Sequence, residues 1–182
     1  MPPRSRLHLD RLPLLAGAMA LLVLGLWGGL MRMGWAFPAP IADLGLLHGP
    51  LMVGGFLGTL IGLERAVALG RWWGYVSPIG ALLGTAAALA GWVLVGALLL
   101  LSASFLLVGM FVSFLRRQQE VFLGVMAAAA VSWAVGNAAW LIGAALWEIV
   151  PFWMGFLVLT IGGERLELSR IRMASDRPQQ EF

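Results

Sequence analysis

The stretch LLHGPLMVGGFLGTLIGLERAVALG, residues 46–70, places His48 at one end of an apolar run and the adjacent pair Glu64–Arg65 near the other. Hydrocarbon makes all three residue types costly, so each needs a partner or a purpose. A neutral imidazole nitrogen can ligate a metal ion or a haem iron, or it can cap and hydrogen-bond at an interface. A carboxylate beside a guanidinium can clamp helices or line a proton or ion path. The chain holds one other histidine, His8, and no cysteine, and its 12 lysine and arginine residues are all arginine. Without cysteine there are no disulfides, thiolate-ligated haem, iron–sulfur clusters, covalently attached haem or Cys-based copper and zinc sites. Without lysine there is no Schiff-base chemistry. Asn137, Ser132 and Thr160 are ordinary helix–helix hydrogen-bonding partners. Nothing resembles a nucleophile triad, a phosphate loop or a zinc motif. The sequence therefore argues against a hydrolase or a kinase, and no catalytic residue is assigned.

The elements that position these residues follow from composition. Of 182 residues, 60% are hydrophobic and 12% charged, where a soluble domain has about a quarter charged. The expected fold class is an all-α integral membrane protein. Runs long enough to cross about 30 Å of hydrocarbon lie at 13–36, 49–69, 76–95, 97–115, 121–146 and 151–168. Between spans three and four only Gly91, Trp92 and Gly96 offer a turn. The expected domains are an N-terminal tail (1–12), one six-helix membrane domain (13–169) and a polar C-terminal tail (170–182). With both termini cytoplasmic, every arginine except Arg32 falls on the inner side, the positive-inside pattern of a bacterial inner-membrane protein. Trp35, Trp72, Trp73, Trp147 and Trp153 fall near the expected interfaces. The first span reads as a retained helix rather than a cleaved signal peptide, because it is long and Arg32 interrupts its end. Since arginines sit at the ends of apolar runs and form no basic domain, the bilayer, not nucleic acid, is the expected partner.

Residues 55–69, GFLGTLIGLERAVAL, align with 155–169, GFLVLTIGGERLELS, with Gly, Phe, Leu, Ile, Gly, Glu and Arg at the same places. Spans two and six thus read as copies crossing in the same direction, a parallel repeat. If the repeat unit is four helices, six helices leave a unit incomplete. A second copy or another membrane subunit would supply the missing surface. Small residues form packing ladders: Gly54, Gly58 and Gly62 on span two, Gly80 and Gly84 on span three, and Gly124, Ala128, Ser132 and Gly136 on span five. Glu64 and Arg65 point about 100° apart on a helix and are poorly placed to pair with each other. The repeat instead suggests reciprocal ion pairs, Glu64 with Arg165 and Arg65 with Glu164.

The segment HGPLMVGGFLGTLIG resembles the second-helix signature of haem–copper oxidase subunit I, in which a histidine at the start of the helix ligates the low-spin haem near the outer face. It is also similar to the HAH-x-M-x-x-G-[FY] stretch of NnrS-type haem- and copper-containing membrane proteins. Together with LERAVALGR and LTIGGERLELSR, it looks like the first half of a group of uncharacterised bacterial membrane proteins related to that fold. The resemblance implies haem b or copper held by His48, with Arg32 available to a haem propionate. Pairing of Arg32 with Asp43 is the plainer expectation. Two departures matter. Pro50 stands where the NnrS-type pattern has a second histidine, and no further intramembrane histidine exists. The ligand trans to His48 must then be a methionine (Met31, Met33, Met126 or Met154), the His48 of a second copy, or a residue of another subunit. On this reading the protein serves electron transfer, metal handling or nitrogen-oxide tolerance as part of an oligomer. The alternatives are a non-enzymatic assembly subunit, or a small permease using the Glu64/Arg65 and Glu164/Arg165 layer.

Overall fold

The computed structural model describes residues 11–38, 41 and 43–175. His8, Arg4, Arg6 and Arg177 lie outside them. The protein is all-helical, with 84% helix and no strand among the described residues. Helix α1 spans Leu12–Arg32. A π-helical stretch, Pro50–Gly58, runs directly into α2, Thr59–Leu69, as one rod of 20 residues. A 3-10 turn at Trp72–Tyr75 leads into α3, Val76–Leu89, followed by α4, Val93–Leu115, α5, Val121–Leu141, and α6, Leu146–Ser175. Five of these rods are long and apolar enough to cross a membrane, as a multi-pass membrane protein requires. The exception is α3, with 14 residues.

Caps, rather than hydropathy, set the helix ends. Gly91 adopts φ +88° after α3, and the Trp92 N–H closes the turn on the Ala87 carbonyl at 2.9 Å. Span three accordingly stops short of the expected 95. Gly96, expected in the turn, lies inside α4 instead. At the start of α6 the Glu148 carboxylate accepts the Ala145 N–H at 3.0 Å, a capping-box contact that begins the helix before Pro151. The same helix runs on to Ser175, so the expected C-terminal tail begins inside a helix.

By internal contacts the chain divides into two compact units, Met1–Ala103 and Ser104–Phe182. In the first, α3 retraces the π/α2 rod from end to end. Gly74 touches Ala66 and Leu69, Pro78 and Ser77 meet Gly62, Thr85 meets Gly54 and Gly55, and Leu82 and Leu89 pack on the Leu21–Leu44–Leu51 cluster. The start of α4 lies against α3, where Gly84 and Gly96 each approach the other's carbonyl. The second unit is built on the α5/α6 hairpin. Trp133 stacks on Phe156 with centroids 5.0 Å apart, and Trp153 Nε1 donates to Asn137 Oδ1 at 3.1 Å. Ser132 Oγ donates across the hairpin to the Phe152 carbonyl at 2.7 Å.

Candidate functional site

The turn that delivers His48 is built around Asp43, the one described non-glycine residue with positive φ (57°). Its carbonyl accepts the N–H groups of Leu46 and Leu47 at 2.8 and 3.2 Å. Asp tolerates this left-handed conformation better than most residues. The turn docks on a glycine cradle in α1. A Cβ at Gly28 would lie 2.6 Å from the Leu44 carbonyl oxygen, one at Gly29 would lie 2.9 Å from His48 Cε1 and Nδ1, and one at Gly25 would lie 2.7 Å from Met52 Sδ. Only glycine at these three positions allows such an approach.

Seated there, half-buried His48 makes a hydrogen bond of 2.7 Å between Nδ1 and the Gly25 carbonyl oxygen. A carbonyl can only accept, so Nδ1 carries the proton. In the neutral ring Nε2 is then the lone-pair nitrogen. Nε2 has no protein partner among the described residues. The ring lines a cleft of about 470 Å³ with Leu26, Gly29, Leu30, Arg32 and Met33. Past α1 the chain folds back beside this end. Trp27 Nε1 donates to the Pro38 carbonyl at 3.2 Å, and Phe37 packs between Trp27 and Trp35.

The structure thus brings His48, Arg32 and Met33 to one cleft. Arg32 does not pair with Asp43: among the described residues it makes no ion pair, and its stem crosses Gly45, with Cγ 3.3 Å from where a Cβ would stand. Asp43 enters its turn through the backbone carbonyl, and its side chain is exposed. Of the methionines, Met33 is exposed beside His48, whereas Met31 packs on the Leu21–Leu44–Leu51 cluster. Met126 is fully buried in the second unit against Gly163, and Met154 is exposed in that unit. Among the described residues no group of three or more His, Asp and Glu side chains gathers as a metal centre. A metal here would draw one nitrogen from this chain.

Directly after His48 comes the π segment. Pro50 supplies no N–H, and Gly54, Gly55 and Gly58 present no Cβ to oppose the wider winding. The altered phase sends the expected ladder to different neighbours. Gly54 faces Leu100 of α4 and Thr85 of α3, Gly55 faces Leu21 and Thr85, and Gly62 faces Ser77 and Pro78; Gly58 is buried. The repeated segment in α6 keeps α-helical winding throughout.

At the other end of the rod, Arg65 Nη2 donates to Glu64 Oε1 at 2.9 Å. The expectation that Glu64 and Arg65 are poorly placed to pair with each other is therefore corrected. An arginine side chain is long enough to curl back across the angle between neighbours. Arg65 is buried (8% side-chain exposure) and Glu64 is open (56%). In the second unit the burial is inverted, with Glu164 half-buried and Arg165 exposed. The alignment of 55–69 with 155–169 thus does not carry over to equivalent surroundings. Sequence reasoning missed the Gly25–Gly28–Gly29 cradle and the cleft that Arg165, read only as an ion-pair partner, shares with Arg172. The run GLWGG held the first signal, but its partners lie about twenty positions on.

No curated protein and no solved structure matches the chain. Residues 11–182 match the family described as a domain of unknown function (DUF8744), and the chain belongs to that family.

Proposed function

We propose that the protein is a six-span bacterial inner-membrane protein, both termini cytoplasmic, in which His48 Nε2 ligates a haem b iron or a copper ion. A second copy or another subunit completes the site. One observation carries this reading: the Nδ1–H bond to the Gly25 carbonyl, which orients the ring and leaves Nε2 as the nitrogen with no protein partner among the described residues. Metal-ligating histidines characteristically donate their other N–H to a carbonyl or carboxylate in this way. A lone-pair nitrogen left without a protein partner is a ligand position that a Lewis acid can take. His48 would hold such a group through one ring nitrogen, with Met33 a thioether lining the same cleft and Arg32 a cation that would meet a propionate. A haem or copper ion bound there would supply one-electron chemistry. The chain's own residues hold the ring, shield it with Leu26 and Leu30, and balance charge. The resemblance to oxidase and NnrS-type proteins points the same way.

The test is an absorption spectrum of detergent-purified protein, oxidised and dithionite-reduced, with metal analysis, for wild type and His48→Ala. A Soret band or stoichiometric copper, lost in the variant, supports the proposal. A colourless, metal-free wild type overturns it. That result favours a second reading, a non-enzymatic assembly subunit in which His48 only ties the turn to α1. The close seat of the ring on Gly29 supports this alternative.

A further inference from the structure

Helix α6 has 30 residues, about 45 Å at 1.5 Å per residue, against about 30 Å of hydrocarbon. The apolar part of α6 ends at Gly163, before Glu164 and Arg165, so the excess length falls at the C-terminal end. There Arg165, Leu168, Ser169 and Arg172 line a cleft of about 330 Å³. At about 100° per residue these four fall within one third of the helix circumference, while Glu167 and Arg170 lie on the far side. Arg170 is engaged with Glu120 at 2.8 Å. Among the described residues Arg165 and Arg172 make no ion pair, and both are exposed. Two guanidiniums thus share one face with no acid, and the Ser169 hydroxyl on that face donates to the Leu166 carbonyl at 2.9 Å. The negative C-terminal end of the helix dipole steadies Arg172 and gives no help to an anion, so the side chains must supply the attraction.

We propose that this face binds phosphate, presented by the headgroup of an anionic phospholipid. Arg165 and Arg172 stand two turns apart, about 10 Å along the axis, which spans the headgroup layer of one leaflet. Planar guanidiniums donate to phosphate oxygens bidentately. Leu168, exposed on the same face, offers the apolar surface on which an acyl chain would lie. The site is independent of His48.

The experiment is native mass spectrometry of the full chain in detergent, titrated with phosphatidylglycerol and with phosphatidylcholine. The variants are Arg165→Gln/Arg172→Gln, Arg165→Lys/Arg172→Lys, and the control Arg116→Gln/Arg117→Gln, which removes the same charge from another exposed pair. The expected result is a roughly thirty-fold loss of phosphatidylglycerol affinity in the first variant, with a partial loss in the lysine variant and little change in the control. Equal losses in the first variant and the control would overturn the site in favour of diffuse charge attraction. No loss in any variant would overturn it outright. Competition by millimolar inorganic phosphate would make soluble phosphate the source, and its failure to compete would make the lipid the source.

Discussion

A carbonyl oxygen cannot donate a proton, and that fact fixes the chemistry of His48. The 2.7 Å contact with Gly25 selects the Nδ1–H tautomer, and Gly29 makes room for the ring. Nitrogen-15 NMR of histidine-labelled protein, with His8→Gln to leave one ring, should therefore show a protonated Nδ1 and an unprotonated Nε2. Gly29→Ala places a Cβ 2.9 Å from the ring, so the ring must move and the hydrogen bond, worth about 1 kcal/mol, is lost. The tautomer preference should weaken in that variant. It should persist in Gly124→Ala, where nothing lies within 4 Å. An unchanged Gly29→Ala spectrum would remove the cradle from the account. His48 itself was legible in the sequence because histidine is rare in apolar surroundings. Its cradle was not, since glycine is common throughout this chain and the turn that fills GLWGG follows in sequence only after an irregular loop.

Helices announce themselves through hydropathy, which varies smoothly, but they end where a cap intervenes. All six apolar runs are helical, yet Gly91 and the Glu148 contact place ends several residues from where hydropathy alone sets them. The π winding of Pro50–Gly58 leaves composition untouched and so leaves no hydropathy signal. Close crossings depend on which glycines meet backbone. A Cβ at Gly96 would stand 2.6 Å from the Gly84 carbonyl oxygen, which cannot swing aside as a leucine tip can. Gly96→Ala should thus destabilise the α3/α4 hairpin by about 1–3 kcal/mol. Gly109→Ala, with open space around it, should be neutral or stabilising by up to about 1 kcal/mol through helix propensity. Thermal unfolding in detergent, followed by tryptophan fluorescence, should move in opposite directions for the two. Equal shifts would mean that this crossing does not hold the hairpin.

For the whole molecule the number of crossings turns on α3. Alone it measures about 21 Å, short of the hydrocarbon thickness. Yet it tracks the π/α2 rod from Leu69 to the Leu44–Leu51 cluster, and the 3-10 turn at Trp72–Tyr75 lengthens it at one end. If the π/α2 rod spans, an element that accompanies it along its length is expected to reach the same depths. Six crossings also keep Arg65, Arg71, Arg116, Arg117 and Arg165 on one side, as the positive-inside rule favours. The cysteine-free chain makes this directly measurable. Single cysteines at Trp72, Trp92 and Gln118, all exposed, can be probed in intact cells with a membrane-impermeant maleimide. Six spans label Trp92→Cys from outside and protect Trp72→Cys and Gln118→Cys. If α3 turned back without crossing, Trp92→Cys would be protected and Gln118→Cys labelled. The arginines at the end of α6 would then face outward. That pattern would invert the second unit in the membrane, and the phosphate face of α6 would meet the opposite leaflet.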